Sequence, residues 1–159
     1  MLNLKPILLG IVAGMRSMSA PAFTSLYLGR KIGARPSDRL TEIIASPEAN
    51  LLLPALALGE LVVDKLPFTP ARIQPPSLLA RIASGAITGQ AVEVEEDRDR
   101  SYGALVGGLA AAGSTFSFYY LRRALARRSH IPDPVLGFLE DMLAIGLGVT
   151  LLNSDGRLG

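Results

Sequence analysis

The chain has 159 residues, 49 % of them apolar and 19 % charged, with a formal net charge of +2. That is the length of a single domain, and the charged share lies below the roughly 25 % of an average soluble one. The absence of cysteine excludes disulfides, thiolate catalysis and sulfur-ligated metals, and the small net charge, with no basic stripe interleaved with aromatics, excludes nucleic acid as a partner.

The first apolar segment runs from about Pro6 to Leu28 and carries Arg16 and Pro21 inside it. Its start has the look of a secretory leader, but Arg16 interrupts the apolar run, which resumes from Phe23, so cleavage is not expected. A polar, basic loop over 29–47 comes next. The second helix is expected over 50–66, stopped by Pro67. Pro67, Pro70, Pro75 and Pro76 then forbid a continuous helix. A third, weaker segment covers 77–92, and 93–100 reads as a solvated charge run. The fourth spans 102–121 with no charge between Gly103 and Tyr120. After a basic loop, a fifth spans 134–152 and contains Glu140 and Asp141, with Asp133 as its cap and Pro134 in its first turn.

A full bilayer crossing takes about 20 residues. The second segment is therefore short and the third marginal, with three ways to be accommodated: tilted, re-entrant or shielded by its neighbours. The fourth lacks the polar face that a water-exposed bundle helix needs. The pattern predicts an all-α membrane protein of about five transmembrane or re-entrant helices rather than a soluble bundle. With no tryptophan in the chain, Tyr27, Tyr102, Tyr119 and Tyr120 are left as interface anchors.

Self-similarity organises these segments. Sliding the first onto the fourth by 93 positions pairs Gly10 with Gly103, Gly14 with Gly107, Phe23 with Phe116, Tyr27 with Tyr120 and Arg30 with Arg123. Sliding the second onto the fifth by 80 pairs Pro54 with Pro134 and Glu60 with Glu140. The chain then reads as a single membrane domain, 1–159. Its first repeat spans about 6–67, its connecting helix about 77–92 and its second repeat about 102–152. If the connecting helix crosses, the two helix pairs form an inverted repeat, an architecture that places sites at the midplane. Basic residues divide almost evenly between the two sides, so orientation is weakly specified: a single orientation is the expectation, and insertion both ways as an antiparallel dimer is the alternative.

The candidate chemistry lies in ionisable groups within apolar segments. Glu60, Glu140 and Arg16 fall near mid-helix, where a charge costs about 2.5–3.5 kcal/mol even on lenient scales and needs a partner. Two readings stand side by side: the glutamates bind an ion or small solute with Arg16 as partner, or the charges only fix helix packing. Asp64 lies one turn beyond Glu60, and Asp141 adjoins Glu140 but points about 100° away. Ser17, Ser19 and Pro21 mark a helix break, with Pro21 freeing a carbonyl near Ser17. The glycine pairs Gly10 and Gly14, Gly85 and Gly89, and Gly103 and Gly107 have the spacing of close helix packing. His130 is a lone loop histidine, so no catalytic constellation, metal site or cofactor is expected. The basic run Arg122, Arg123, Arg127 and Arg128 suits anionic headgroups.

The segments Gly10-Ile-Val-Ala-Gly-Met-Arg-Ser-Met-Ser-Ala-Pro-Ala22, Gly59-Glu-Leu-Val-Val-Asp-Lys-Leu-Pro67 and Leu139-Glu-Asp141 resemble a family of bacterial membrane proteins described as domain of unknown function 4126. The resemblance covers most of the chain. It implies a small multi-pass protein of the bacterial inner membrane, singles out Arg16, Pro21, Glu60, Asp64, Lys65, Pro67, Glu140 and Asp141, and transfers no activity. The expected function is a transporter or channel for an ion or small polar solute in a lipid bilayer, acting as a homo-oligomer. The alternatives are a non-transporting assembly protein and a lipid-handling one.

Overall fold

A computed structural model describes residues 3–31, 38–63, 73–128 and 133–153. Among these residues the structure is helical, with seven helices and no strand: α1 (Lys5–Met15), α2 (Ser19–Lys31), α3 (Arg39–Ala45), α4 (Pro47–Val63), α5 (Pro75–Glu95), α6 (Arg100–Arg128) and α7 (Asp133–Leu152).

The first apolar segment forms two helices. α1 closes with the Arg16 N–H on the Val12 carbonyl at 2.8 Å, and Arg16 itself is extended, with φ −143° and ψ 112°. α2 begins at Ser19, so Pro21 occupies its first turn, where a missing N–H leaves no intrahelical bond unmade. This corrects the expectation that Pro21 breaks the helix. The break lies upstream, at Arg16, Ser17 and Met18, and the proline helps to start α2.

Two segments expected as loops contain helix. α3 lies within the basic stretch 29–47, capped by Asp38, whose carboxylate accepts the Thr41 N–H at 2.8 Å. That hydrogen bond holds the Asp38 carboxyl below its ordinary pKa. The stabilisation is therefore complete above the ordinary carboxylate pKa and is lost as pH falls through the lowered one. Asp38→Ala is expected to cost about 1 kcal/mol of local stability, read as faster amide exchange at Thr41 and Glu42. At the other end of the molecule, α6 carries on through the basic run to Arg128.

α5 and α6 pack along most of their length, and α1 lies against both. Small residues permit this. A methyl group built on Gly107 would overlap the Gly85 carbonyl oxygen, and one on Gly89 would overlap the Gly103 carbonyl. On α1, a methyl at Gly10 would strike Gly107 and Ala110, and one at Gly14 would strike Ala111 and the Ser114 hydroxyl. All six paired glycines thus lie where backbones of three helices meet, the arrangement that small-xxx-small spacing allows.

The outer surface is apolar over wide stretches. Leu51, Leu58 and Val62 on α4, Leu79 on α5, Leu105 and Leu109 on α6, and Phe138 and Leu139 on α7 are all more than half exposed. Among the described residues two helices are long and apolar enough to cross a membrane: α6 over Arg100–Arg127, mean hydropathy 1.2, and α7 over Val135–Leu152, mean hydropathy 1.8. The expected five crossings are not matched by length and composition. The interrupted first segment supplies an 11-residue and a 13-residue helix, α4 has 17 residues, and α5 has the length but not the apolarity.

Candidate functional site

The break between α1 and α2 creates two helix ends inside the fold. The end of α1 presents carbonyls without intrahelical partners and the partial negative charge of a helix C-terminus. Arg81 of α5 answers both needs: its Nη1 donates to the Gly14 carbonyl at 2.9 Å and to the Met15 carbonyl at 2.7 Å. From α6, the Thr115 hydroxyl donates to Gly14 at 3.2 Å and the Ser114 hydroxyl to Ile11 at 2.9 Å.

The start of α2 presents amide donors and partial positive charge, and there the Glu60 carboxylate of α4 is seated. One oxygen accepts the Ser17 N–H at 2.9 Å and the Ser17 hydroxyl at 2.7 Å, while the other accepts the Met18 N–H at 2.8 Å. Cation at the helix C-terminus and anion at the helix N-terminus is the favourable sense for both dipoles. The Ser17 carbonyl, in the gap itself, accepts from the Ser84 hydroxyl at 2.6 Å.

Arg16 stands at the junction and points to α7. Its Nε donates to Oδ1 of Asp141 at 2.8 Å, and its Nη2 reaches the same oxygen. Both side chains are buried, Arg16 at 2 % exposure and Asp141 at 5 %. Glu140, next along α7, lies 3.9 Å from Nη1 of Arg122 on α6. Asp141 and Glu140 therefore serve different arginines, as a separation of about 100° around a helix requires.

The structure brings Arg16, Ser17, Glu60 and Asp141 together at the break. Ser19 is buried in the first turn of α2, its N–H on the Arg16 carbonyl at 3.3 Å. Asp64, Lys65, Pro67 and His130 lie outside the described residues. Glu60 and Glu140, matched by the sequence offset, have partners of different kinds: a helix N-terminus for one, a guanidinium for the other.

Sequence reasoning missed Arg81, Ser84, Ser114 and Thr115. Arg81 carries the same signal as Arg16, a lone charge in the apolar run Leu78 to Ile87, but the weak hydropathy of that segment masks it. A second polar cluster, at the far end of α1, was also missed. The buried Lys5 ammonium is paired with Glu96 and donates to the Tyr27 hydroxyl at 3.1 Å, with the Tyr27 ring centroid 5.4 Å away. The Asn3 amide donates to Glu96 at 2.8 Å. Glu93, expected in a solvated run, is 1 % exposed on α5. Tyr27, expected at a lipid interface, is 2 % exposed and lies against Lys5 and Lys31. Glu96 in the α5–α6 turn pairs with Asn3 and Lys5 at the start of α1, and Lys5 in turn meets Tyr27 near the end of α2, so groups distant in sequence gather at this end.

A profile of the family described as "domain of unknown function (DUF4126)" matches residues 6–154. The chain belongs to the DUF4126 family. The match takes in the whole of the break and every group seated on it, so the site is part of the DUF4126 domain itself. No curated protein and no solved structure matches the chain.

Proposed function

We propose that this DUF4126 member is a multi-pass protein of the bacterial inner membrane that moves an ion or small polar solute past the α1–α2 break. The observation that carries the reading is the convergence on that break. Unpaired backbone at the ends of two short helices meets Arg16, Glu60, Arg81 and Asp141, contributed by four elements, inside a chain whose outer surface is apolar. Interrupted helices at membrane depth are tolerated where they line a cavity or are buried in protein, and their exposed dipoles hold ions and charged substrates. Glu60 is the group that moves in this scheme: it holds the start of α2 through three hydrogen bonds, and a passing cation competes for the same oxygens.

The expected inverted repeat is not part of this proposal: Gly10 on α1 lies against Gly107 on α6 and Gly14 against Ala111 and Ser114, so the two matched helices run parallel, whereas inverted copies would run in opposite directions. The exposed leucines of α4 provide a face for lipid or for a second copy in a homodimer.

The test is flux in proteoliposomes. Glu60→Gln keeps the shape and removes the charge, and it is expected to lower uptake of the transported cation about tenfold or more, which corresponds to about 1.4 kcal/mol. Undiminished flux from folded Glu60→Gln protein would remove the residue from the pathway. A second reading, in which the charges only hold helices together, draws on the pairing itself: Arg16 with Asp141, Arg81 with carbonyls and Glu60 with amides leave the cluster balanced. The double substitution described in the Discussion separates the two.

A further inference from the structure

A cavity of about 640 Å³ opens beside the break, between the start of α2 and α3, α4 and α5, and shares Met18 and Ser84 with the hydrogen bonding there. Its volume lies within the roughly 300–1,000 Å³ of small-molecule sites. The walls are apolar: Ile44 from α3, Leu52 and Leu53 from α4, Ala83 and Ile87 from α5, and Met18 from the break itself. Such a lining has too few polar partners to hold a hydrated inorganic ion, whose water must be replaced by oxygens.

One charged side chain reaches the described lining, while Arg81, between the lining residues Ala80 and Ala83, is turned to the Gly14 and Met15 carbonyls. Among the described residues Glu48, in the first turn of α4, is the only ionisable one in the lining, and no lysine, arginine or histidine contributes to it. The second carboxylate is Glu60. It lies seven residues beyond Leu53 on α4, almost two full turns, which returns it to the same face about 10 Å further along the axis. There it is hydrogen-bonded to the N–H of Met18, whose side chain forms part of the cavity wall. Glu48 thus stands in the lining of the apolar chamber, and Glu60 lies outside the lining, linked to it through the backbone of Met18.

We propose that this cavity is the substrate site and that it takes a lipophilic organic cation, an apolar body carrying a delocalised or quaternary positive charge. The inference rests on the transport reading and narrows it from any ion or small polar solute to this class. The apolar body takes the place of the missing polar ligands, and the carboxylates reject an anion of the same shape. Passage to the break brings the cation against Glu60, where it weakens the hold of that carboxylate on Ser17 and Met18.

The probes are radiolabelled tetraphenylphosphonium and, in separate cells, tetraphenylborate, nearly the same shape and opposite in charge. Binding is measured on the purified full-length protein in detergent by equilibrium dialysis. The expected result is saturable binding near one cation per chain, with no saturable binding of the borate. Ala83→Phe, which fills the chamber from an exposed helix position, and Glu48→Gln, which removes the outer charge, are each expected to weaken affinity about tenfold. Thermal melts confirm that both variants are folded. Non-saturable binding of the cation, equally tight saturable binding of the borate in its own cell, or unchanged affinity in both folded variants would overturn the proposal. So would a tightly held phospholipid, seen by native mass spectrometry, that is lost in Ala83→Phe and that the cation does not displace. Binding requires no flux, so the two readings fail separately. A saturable cation site in a protein that transports nothing sinks the transport reading alone, and Glu60-dependent flux of another ion without this binding sinks the site alone.

Discussion

Arg16→Met by itself is expected to destabilise the protein by about 3–5 kcal/mol, because it leaves the Asp141 carboxylate buried without the guanidinium that neutralises it. Asp141→Leu is expected to destabilise as well, since it removes the carboxylate that accepts from Nε and Nη2 of the buried Arg16. The informative variant carries both changes. Replacing a buried ion pair by apolar groups of similar volume is often neutral or stabilising, so Arg16→Met/Asp141→Leu is expected to recover most of the lost stability, measured as denaturant midpoint in detergent. If the pair only holds α7 to the break, function returns with stability. If the pair takes part in transport, the recovered fold stays inactive in proteoliposomes. That second outcome is the one expected here.

Gly107→Ala is expected to destabilise by about 1–3 kcal/mol, the usual range for overpacking a tight core. The added methyl would meet the Gly85 carbonyl, which is backbone and has nowhere to rotate. Gly113, on the same helix, has nothing within 4 Å of the position where a methyl would stand. Gly113→Ala is therefore expected to stabilise by about 0.5–1 kcal/mol, the ordinary gain for replacing glycine in a helix. One substitution made twice on one helix thus changes sign with its neighbours. Thermal melts of the two variants side by side check this, and equal shifts would contradict the close approach of α5 and α6.

The legible parts of the fold share one property. The helical state of α4 to α7, the small-residue spacing on α1, α5 and α6, and the interruption near Arg16 all arise from short stretches of chain. Period, composition and proline chemistry act within a few residues of one another. The sequence pattern spreads the interruption over 16–21, and the structure confines it to residues 16–18. Pro21 has the look of the breaker, although proline is well placed in the first turn of a new helix.

Partners were not legible, because a partner depends on how helices are rotated and stacked. Arg16 advertises a buried charge, but only the placement of α7 selects Asp141. Glu60 advertises a carboxylate in need of compensation. That the compensation comes from the amides of Ser17 and Met18 depends on α4 crossing the start of α2. Arg81 and Glu93 fall in segments whose local hydropathy argues for weak burial, and the α1–α5–α6 packing buries both.

The amino-acid sequence by itself determined an all-helical chain with apolar faces, a polar interruption in its first apolar stretch and glycines spaced for close packing. The tertiary structure decided which charges meet, how the two helix ends at the break are satisfied, and where an apolar chamber opens beside them. The division has a physical reason. Backbone conformation and hydrophobic period are set by interactions between neighbours in the chain, whereas the pairing of a buried charge is set by whichever group, at any sequence distance, the packed helices bring within about 3 Å of it.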